Sequence, residues 1–341
     1  MQTEVIRLNE ARNVSLTAYL QSVGGEFRHI TKRPAILVLP GGGYQFCSDR
    51  EAEPVAMPYL AAGYQVFILR YSVKENAVWP NPLDDYEQAM ELIRSKSEDW
   101  NLFEDKVAVI GFSAGGHLAA AAATMSKNRP AAAILGYAVA GEDVKGCNPS
   151  APDTISAVDK NTCPCFLFST RTDGVVDVEN SIDFMKALAV HGIAFESHIY
   201  AFGPHGVSTC DKSVQQSDKM PVCSRVPDWV PDSIGWLRDV LGEFGPNGLE
   251  PPVCKAHVSS NHEDFLSVDC TIGHLIGNPE AKAVLDKLIN DIQSAGTGNP
   301  LVSERVFTFK KEVLRSLLAF LNIDAKTVDA IDAQLRKIPN I

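Results

Sequence analysis

Val107-Ala108-Val109-Ile110-Gly111-Phe112-Ser113-Ala114-Gly115-Gly116-His117-Leu118 leads from a short apolar run into an alanine-rich helical pattern, with one serine at the turn. The run Val107–Ile110 is continuously apolar, as expected of a strand covered on both faces of a mostly parallel sheet. A G-x-S-x-G match arises by chance roughly 0.1 times in a chain of this composition, so its context decides. That context is a strand before and a helix after. It puts Ser113 on a sharp, strained turn, with glycines on either side that let neighbouring chain pass without a Cβ clash. The turn would hold Oγ above the sheet, beside a helix N-terminus that favours negative charge. The plainer alternative is a serine capping a helix after a glycine turn.

Around this stretch, similar apolar runs recur at residues 35–39, 65–69, 133–135 and 165–168, with a last strand through 195–200. Helical patterns fall between them, around 51–62, 84–97, 114–126 and 178–191, and another covers 231–241. Strand–helix alternation of this kind predicts an α/β layered fold with a mostly parallel central sheet. Past residue 243 the composition changes. Gly242-Glu243-Phe244-Gly245-Pro246-Asn247-Gly248-Leu249-Glu250-Pro251-Pro252 is dense in Gly and Pro, which predicts a linker over 244–252. Beyond it Asn278-Pro279 marks a helix start, and Asp324 can cap a helix with the stripe Val328, Ile331, Leu335 and Ile338. The expected organisation is thus an α/β catalytic domain over 1–243 and a small all-helical C-terminal domain over 253–341.

The whole chain limits the classes of function. It has 341 residues, 45% hydrophobic and 21% charged, enough for a packed core in one large or two modest domains. A net charge of -11 without a Lys/Arg cluster speaks against nucleic acid as a partner. No apolar stretch is long enough to span a bilayer, so no membrane partner is expected. The first seven residues lack the basic and apolar segments of a signal peptide, and eight scattered cysteines are ordinary usage for this length. Reduced thiols and a cytoplasmic location are the expectation, or secretion if a signal peptide was removed beforehand.

A serine nucleophile needs a proton acceptor and a group to orient it. His205, in Phe202-Gly203-Pro204-His205-Gly206, directly follows the last strand and so shares the carboxyl edge of the sheet with Ser113. His117 falls within the helix and His198 within the strand, where a structural role is the commoner one. Asp173 follows the strand 165–168; Asp-Gly there could equally be a simple turn, and Asp177 competes but reads as a helix cap. The order Ser113, Asp173, His205 is the one α/β hydrolases use. Leu39-Pro40-Gly41-Gly42-Gly43-Tyr44 follows an earlier strand and matches neither nucleotide-binding glycine pattern, which leaves an oxyanion loop or a tight turn. Ser113 would attack a carbonyl carbon while His205 takes its proton and Asp173 fixes the imidazole, with the backbone N–H groups of Ala114 and of Gly42 or Gly43 holding the oxyanion. No metal or organic cofactor is implied.

Taken together, Pro40-Gly41-Gly42-Gly43-Tyr44, Gly111 to Leu118, Asp173 before Val178-Glu179-Asn180-Ser181, and Gly203-Pro204-His205-Gly206 resemble the α/β-hydrolase esterases, in particular the group containing acetyl xylan esterases and related carbohydrate deacetylases. Asp84-Asp85 before Ala89, and Gly63-Tyr64 leading to a strand ending at Tyr71, match as well. The likeness spans residues 30 to 240. It implies the α/β-hydrolase fold and a serine esterase acting on short acyl, above all acetyl, esters of a sugar or oligosaccharide. Feruloyl esterase, lipase and formamidase are alternatives with the same triad, and a non-catalytic scaffold using the helical tail is the alternative from another class. Against the family pattern, the segment between Tyr137 and Pro164 is short for a lid and the stretch 206–230 is long. Tyr44, after the oxyanion loop, could cap a small acyl pocket or pack in the core; Trp229 could stack on a sugar or pack the last helix. The tail, Thr271 to Lys282, resembles C-terminal segments of bacterial carbohydrate-active proteins, and its helices could join copies of the chain into a homo-oligomer or roof the active site.

Overall fold

The computed structural model describes residues 1–214, 221–294 and 308–340, which form two compact units, Met1–Ala256 and His257–Ile341. In the first unit eight strands form one sheet: β1 (Gln2–Asn9), β2 (Val14–Leu20), β3 (Arg33–Leu39), β4 (Gln65–Arg70), β5 (Leu102–Phe112), β6 (Ala132–Gly136), β7 (Cys165–Thr170) and β8 (Phe195–Tyr200). Their order across the sheet is β1-β2-β4-β3-β5-β6-β7-β8. The pairs from β4 to β8 are parallel, and the N-terminal hairpin β1–β2 joins antiparallel to β4.

Side chains alternate between the two faces of each strand, so the buried strands feed two cores. On β3, Ala35, Leu37 and Leu39 enter one core with helices α2 (Asn81–Ser95), α3 (Ala114–Thr124) and α4 (Glu179–Val190). Ile36 and Val38 enter the other with α1 (Glu53–Ala61) and α5 (Trp229–Leu241). Every residue of α3 is buried. Its run Ala119–Ala123 explains why a helix can sit so tightly on the sheet, since alanine side chains let backbones approach closely.

The segment expected to be a linker is instead part of the first unit. Phe244–Gly245 (β9) pairs antiparallel with Gly248–Leu249 (β10). The chain that follows is tied down by Val253 N–H and Cys254 N–H, both donating to Asp239 O at 2.9 Å, and by Ala194 N–H donating to Ala256 O at 2.9 Å. The unit boundary therefore falls at 256/257, because the glycines and prolines make a hairpin and not a free tether. The second unit is helical: α6 (Ile272–Gly277), α7 (Pro279–Ser294), α8 (Leu314–Phe320) and α9 (Ala325–Leu335). Asn278 Oδ1 accepts from Glu280 N–H and Ala281 N–H at the start of α7, and Asp324 Oδ1 accepts from Thr327 N–H at 3.0 Å to cap α9. Val328, Ile331, Leu335 and Ile338 are all buried in that unit's own core.

Trp229 opens α5 with 0% exposure, so it is no sugar platform. Its ring stacks on Phe168 at 4.3 Å and 9° and meets the edge of Phe112 at 5.8 Å, while Nε1–H donates to Ser208 O at 2.9 Å. A surface loop of that length suggested exposure, but the indole is the plug between α5 and the sheet. Part of that loop, residues 215–220, lies outside the described residues. Truncation of such a ring costs about 3–5 kcal/mol. All four tryptophans belong to the first unit, so the fluorescence of the remaining three will follow its unfolding. We expect Trp229→Ala to lower the denaturation midpoint sharply; an unchanged midpoint would remove this residue from the core.

Candidate active site

Ser113 stands between the end of β5 and the first residue of α3 with φ 53° and ψ -117°. This left-handed backbone is enforced from outside: Ser113 N–H donates to Gly136 O at 3.0 Å, and Ser113 O accepts from His117 N–H at 3.0 Å and Val139 N–H at 3.3 Å. Non-glycine residues held in such a conformation cost on the order of 1–3 kcal/mol and cluster at functional sites.

His205 and Asp173 converge on this serine. His205 Nε2 is 2.9 Å from Ser113 Oγ, and His205 Nδ1 is 2.7 Å from Asp173 Oδ2. A carboxylate can only accept, so Nδ1 carries the proton and Nε2 is left to accept from the serine hydroxyl. The Asp173 side chain is 2% exposed and the imidazole 18% exposed, so the carboxylate is shielded from water while the imidazole keeps an edge open to solvent. Asp173 Oδ1 also accepts from Val175 N–H at 2.8 Å and Val176 N–H at 3.0 Å, which locks the carboxylate in one orientation. Asp177 accepts instead from Glu179 N–H at 3.0 Å, at the start of α4.

The glycine loop passes directly over the serine turn. A Cβ on Gly41 would lie 3.1 Å from Ser113 Cβ, and Gly42, at φ +128°, could not carry one because it would lie 2.1 Å from Phe46 O. Gly41 N–H is committed to Glu51 Oε2 at 2.8 Å, which leaves it out of the set of oxyanion donors. Ala114 opens α3, where a backbone N–H has no partner within the helix.

Tyr44 does not reach this cleft. It is 0% exposed, and its hydroxyl is 2.7 Å from His117 Nδ1. Its position after three glycines suggested a pocket lining, yet the ring packs in the core, edge-on to Tyr71 at a centroid distance of 5.9 Å. His117 is equally buried, with Nε2 2.8 Å from Pro152 O. Two further side chains bear on the site without having shown in the sequence. Glu51 is buried and bonds the glycine loop, and Tyr137 follows β6 with its ring 5.1 Å from that of His205. Glu51 read as the start of a helix and Tyr137 as an apolar residue after a strand, and no local pattern marks either. Among the described residues no group of His, Cys, Asp and Glu could hold a metal ion, and no helix is long and apolar enough to cross a membrane.

A doubly covered parallel sheet with a strained serine at the carboxyl edge, and a histidine and an aspartate from later strand ends, defines an α/β hydrolase. The chain belongs to that family: it is 44% identical, with a TM-score of 0.67, to MGS-M1, an α/β-hydrolase enzyme from a Medee basin deep-sea metagenome library, over 71% of this chain and 98% of the other. The family described as BD-FAE matches residues 28–137. The chain is also similar to endo-1,4-beta-xylanase B of Butyrivibrio fibrisolvens (32% identity over 53% of this chain) and to an acetylxylan esterase of Xylanibacter ruminicola (29% over 50%). It spans 33% and 40% of the length of those two proteins.

Burial pushes the His117 imidazole down to about 4, so it is neutral at pH 7. An unfolded histidine titrates near 6.5, so between that value and about 4 the unfolded chain binds more protons than the folded one. The stability due to this group is therefore complete above about pH 6.5 and is lost as pH falls, by about 3 kcal/mol in all. Measured by tryptophan fluorescence, wild-type stability should fall more steeply over this interval than that of His117→Gln, and equal slopes would contradict a neutral buried imidazole.

Proposed function

We propose that the chain is a serine esterase that removes short acyl groups, acetyl above all, from carbohydrate esters through an acyl-enzyme. The observation that carries this reading is the unbroken line from Asp173 Oδ2 through His205 to Ser113 Oγ, at 2.7 and 2.9 Å. In the first half-reaction Ser113 Oγ attacks the ester carbonyl as His205 Nε2 takes its proton. Asp173 holds the imidazole in the required tautomer and stabilises the imidazolium. The tetrahedral oxyanion is held by the N–H of Ala114 and by that of Gly42 or Gly43, and the imidazolium then protonates the departing alcohol. In the second half-reaction His205 activates water against the acyl-enzyme, and Ser113 leaves with its proton restored.

The acyl and alcohol parts of the substrate rest on different support from the chemistry. With Tyr44 and Trp229 both in the core, the preference for acetyl esters of carbohydrate is supported by the likeness to the acetylxylan esterase and by the match to the BD-FAE family. Acetylated xylan, mannan and small sugar acetates are the substrates to compare. Release of longer acyl groups or ferulate in preference to acetate would turn the assignment toward the lipase or feruloyl esterase alternative.

Loss of a serine nucleophile costs about 10⁶ in rate, and an asparagine in the aspartate position, which favours the wrong tautomer, about 10⁴. We therefore expect Ser113→Ala to fold normally and lose nearly all hydrolysis of p-nitrophenyl acetate as well as labelling by a fluorophosphonate probe. Asp173→Asn should lie between that variant and wild type. Substantial turnover by Ser113→Ala would refute the nucleophile.

A further inference from the structure

The three-residue turn Asp49–Glu51 lies between the glycine loop and α1, and it grips both of the loops that build the site. Toward the glycine loop, Glu51 Oε2 accepts from Gly41 N–H at 2.8 Å. Toward β6, Glu51 Oε1 accepts from Tyr137 O–H at 2.6 Å. The Tyr137 oxygen in turn accepts from Ser208 N–H at 3.1 Å, three residues beyond His205. Arg50 holds the same histidine-bearing stretch, donating to Gly206 O at 2.6 Å and Val214 O at 2.5 Å, and its own carbonyl accepts from Ser208 Oγ.

Glu51 is 4% exposed, Tyr137 2% and Ser208 0%, so these bonds form where water cannot replace them. A buried carboxyl needs a reason to be there, because an unpaired one is costly. Both of its oxygens are met by donors, the arrangement a carboxylate requires. Burial raises the Glu51 carboxyl above its usual range, opposed by the Tyr137 and Gly41 hydrogen bonds and by attraction to His205 and Arg50. The triad mechanism uses none of this.

From this geometry we infer that Glu51, with Tyr137, is a positioning couple that sets the glycine loop and the histidine loop in register, so that the oxyanion donors and the imidazole meet the same substrate carbonyl. The inference rests on the serine-esterase reading above and adds to it a residue outside the triad. Oxyanion donors act only if they stand at hydrogen-bond distance from where the charge develops, so a displaced loop lowers turnover with little effect on ground-state binding. Gly41 is the pivot, because its N–H is fixed by Glu51 while a Cβ added to it would lie only 3.1 Å from Ser113 Cβ.

Glu51→Gln tests this with almost no change of volume. With the glutamine Oε1 kept on Gly41 N–H, its –NH2 faces Tyr137, whose hydroxyl must turn its own proton away and accept, so the charge-assisted O–H···carboxylate bond is replaced by a weaker neutral one and the phenol proton loses its acceptor. Tyr137→Phe removes the other end of the couple and leaves the ring in place. We expect kcat for p-nitrophenyl acetate to drop roughly tenfold to a hundredfold in each variant, with KM within about threefold of wild type. The double variant should be no slower than the worse single one, as for residues acting as one unit. A purely structural role would lower the melting temperature and leave the kcat of the folded fraction intact. Wild-type kcat in either folded variant overturns the inference, as do losses that multiply in the double variant. If Glu51→Gln fails to fold, Tyr137→Phe decides the matter alone. A wild-type protein inert toward every ester defeats the esterase reading and this inference with it, whereas an active wild type with indifferent variants defeats only the inference.

Discussion

The backbone of Ser113 is held by the sheet and by the helix that follows, and much of the site depends on that restraint. Its N–H is bonded to the last residue of β6, and its carbonyl receives the amides of His117 and Val139. With both backbone groups committed, the residue is held at a positive φ. The cost, on the order of 1–3 kcal/mol, is offset by the cooperativity of a sheet buried on both faces and a helix with no exposed residue. Because the strain is imposed by long-range pairing, Oγ has one place to be, and the glycine loop can be fitted against it.

The alternating core was legible in the sequence because parallel strands covered on both sides leave unbroken apolar runs, as in Ala35–Leu39 and Val107–Ile110. The N-terminal hairpin was not. β1 lies at the sheet edge and is largely exposed, so Gln2–Asn9 carries no such run. The convergence of Ser113, Asp173 and His205 could be anticipated because each follows a strand end, a position recorded by the order of the chain. Tyr44 and Trp229 could not be placed the same way. An aromatic near a site is equally at home in the cleft or under it, and only packing decides which. Glu51 left no local trace either, since its partners Gly41 and Tyr137 lie ten and 86 residues away.

Asp173 shows why two competing readings of one residue need not exclude each other. An Asp-Gly pair makes a turn by accepting backbone N–H groups on its carboxylate, and Asp173 Oδ1 does so with Val175 and Val176. A carboxylate has a second oxygen, and here it faces the imidazole. The turn is therefore what aims the acid. A carboxylate already fixed by two amides gives up little further freedom when it binds the imidazole, and in a site where it is 2% exposed that bond is not diluted by water.

Beneath the polar line lies an aromatic layer. Phe112, Tyr137, Phe168 and Trp229 contact one another at centroid distances between 4.3 and 6.2 Å. This layer supplies apolar surroundings, in which charge interactions are stronger than in water. It also makes each buried polar group dependent on a partner. The partners are shared: Trp229 Nε1–H takes Ser208 O, Tyr137 takes Ser208 N–H, and Glu51 takes Tyr137. A buried indole absent from the cleft thus still bears on the histidine, through the backbone of the residue three positions beyond it. The apolar floor and the polar ties support each other, because the floor excludes the water that would otherwise compete for those bonds and the ties satisfy both the N–H and the carbonyl of Ser208 where its backbone passes through the floor.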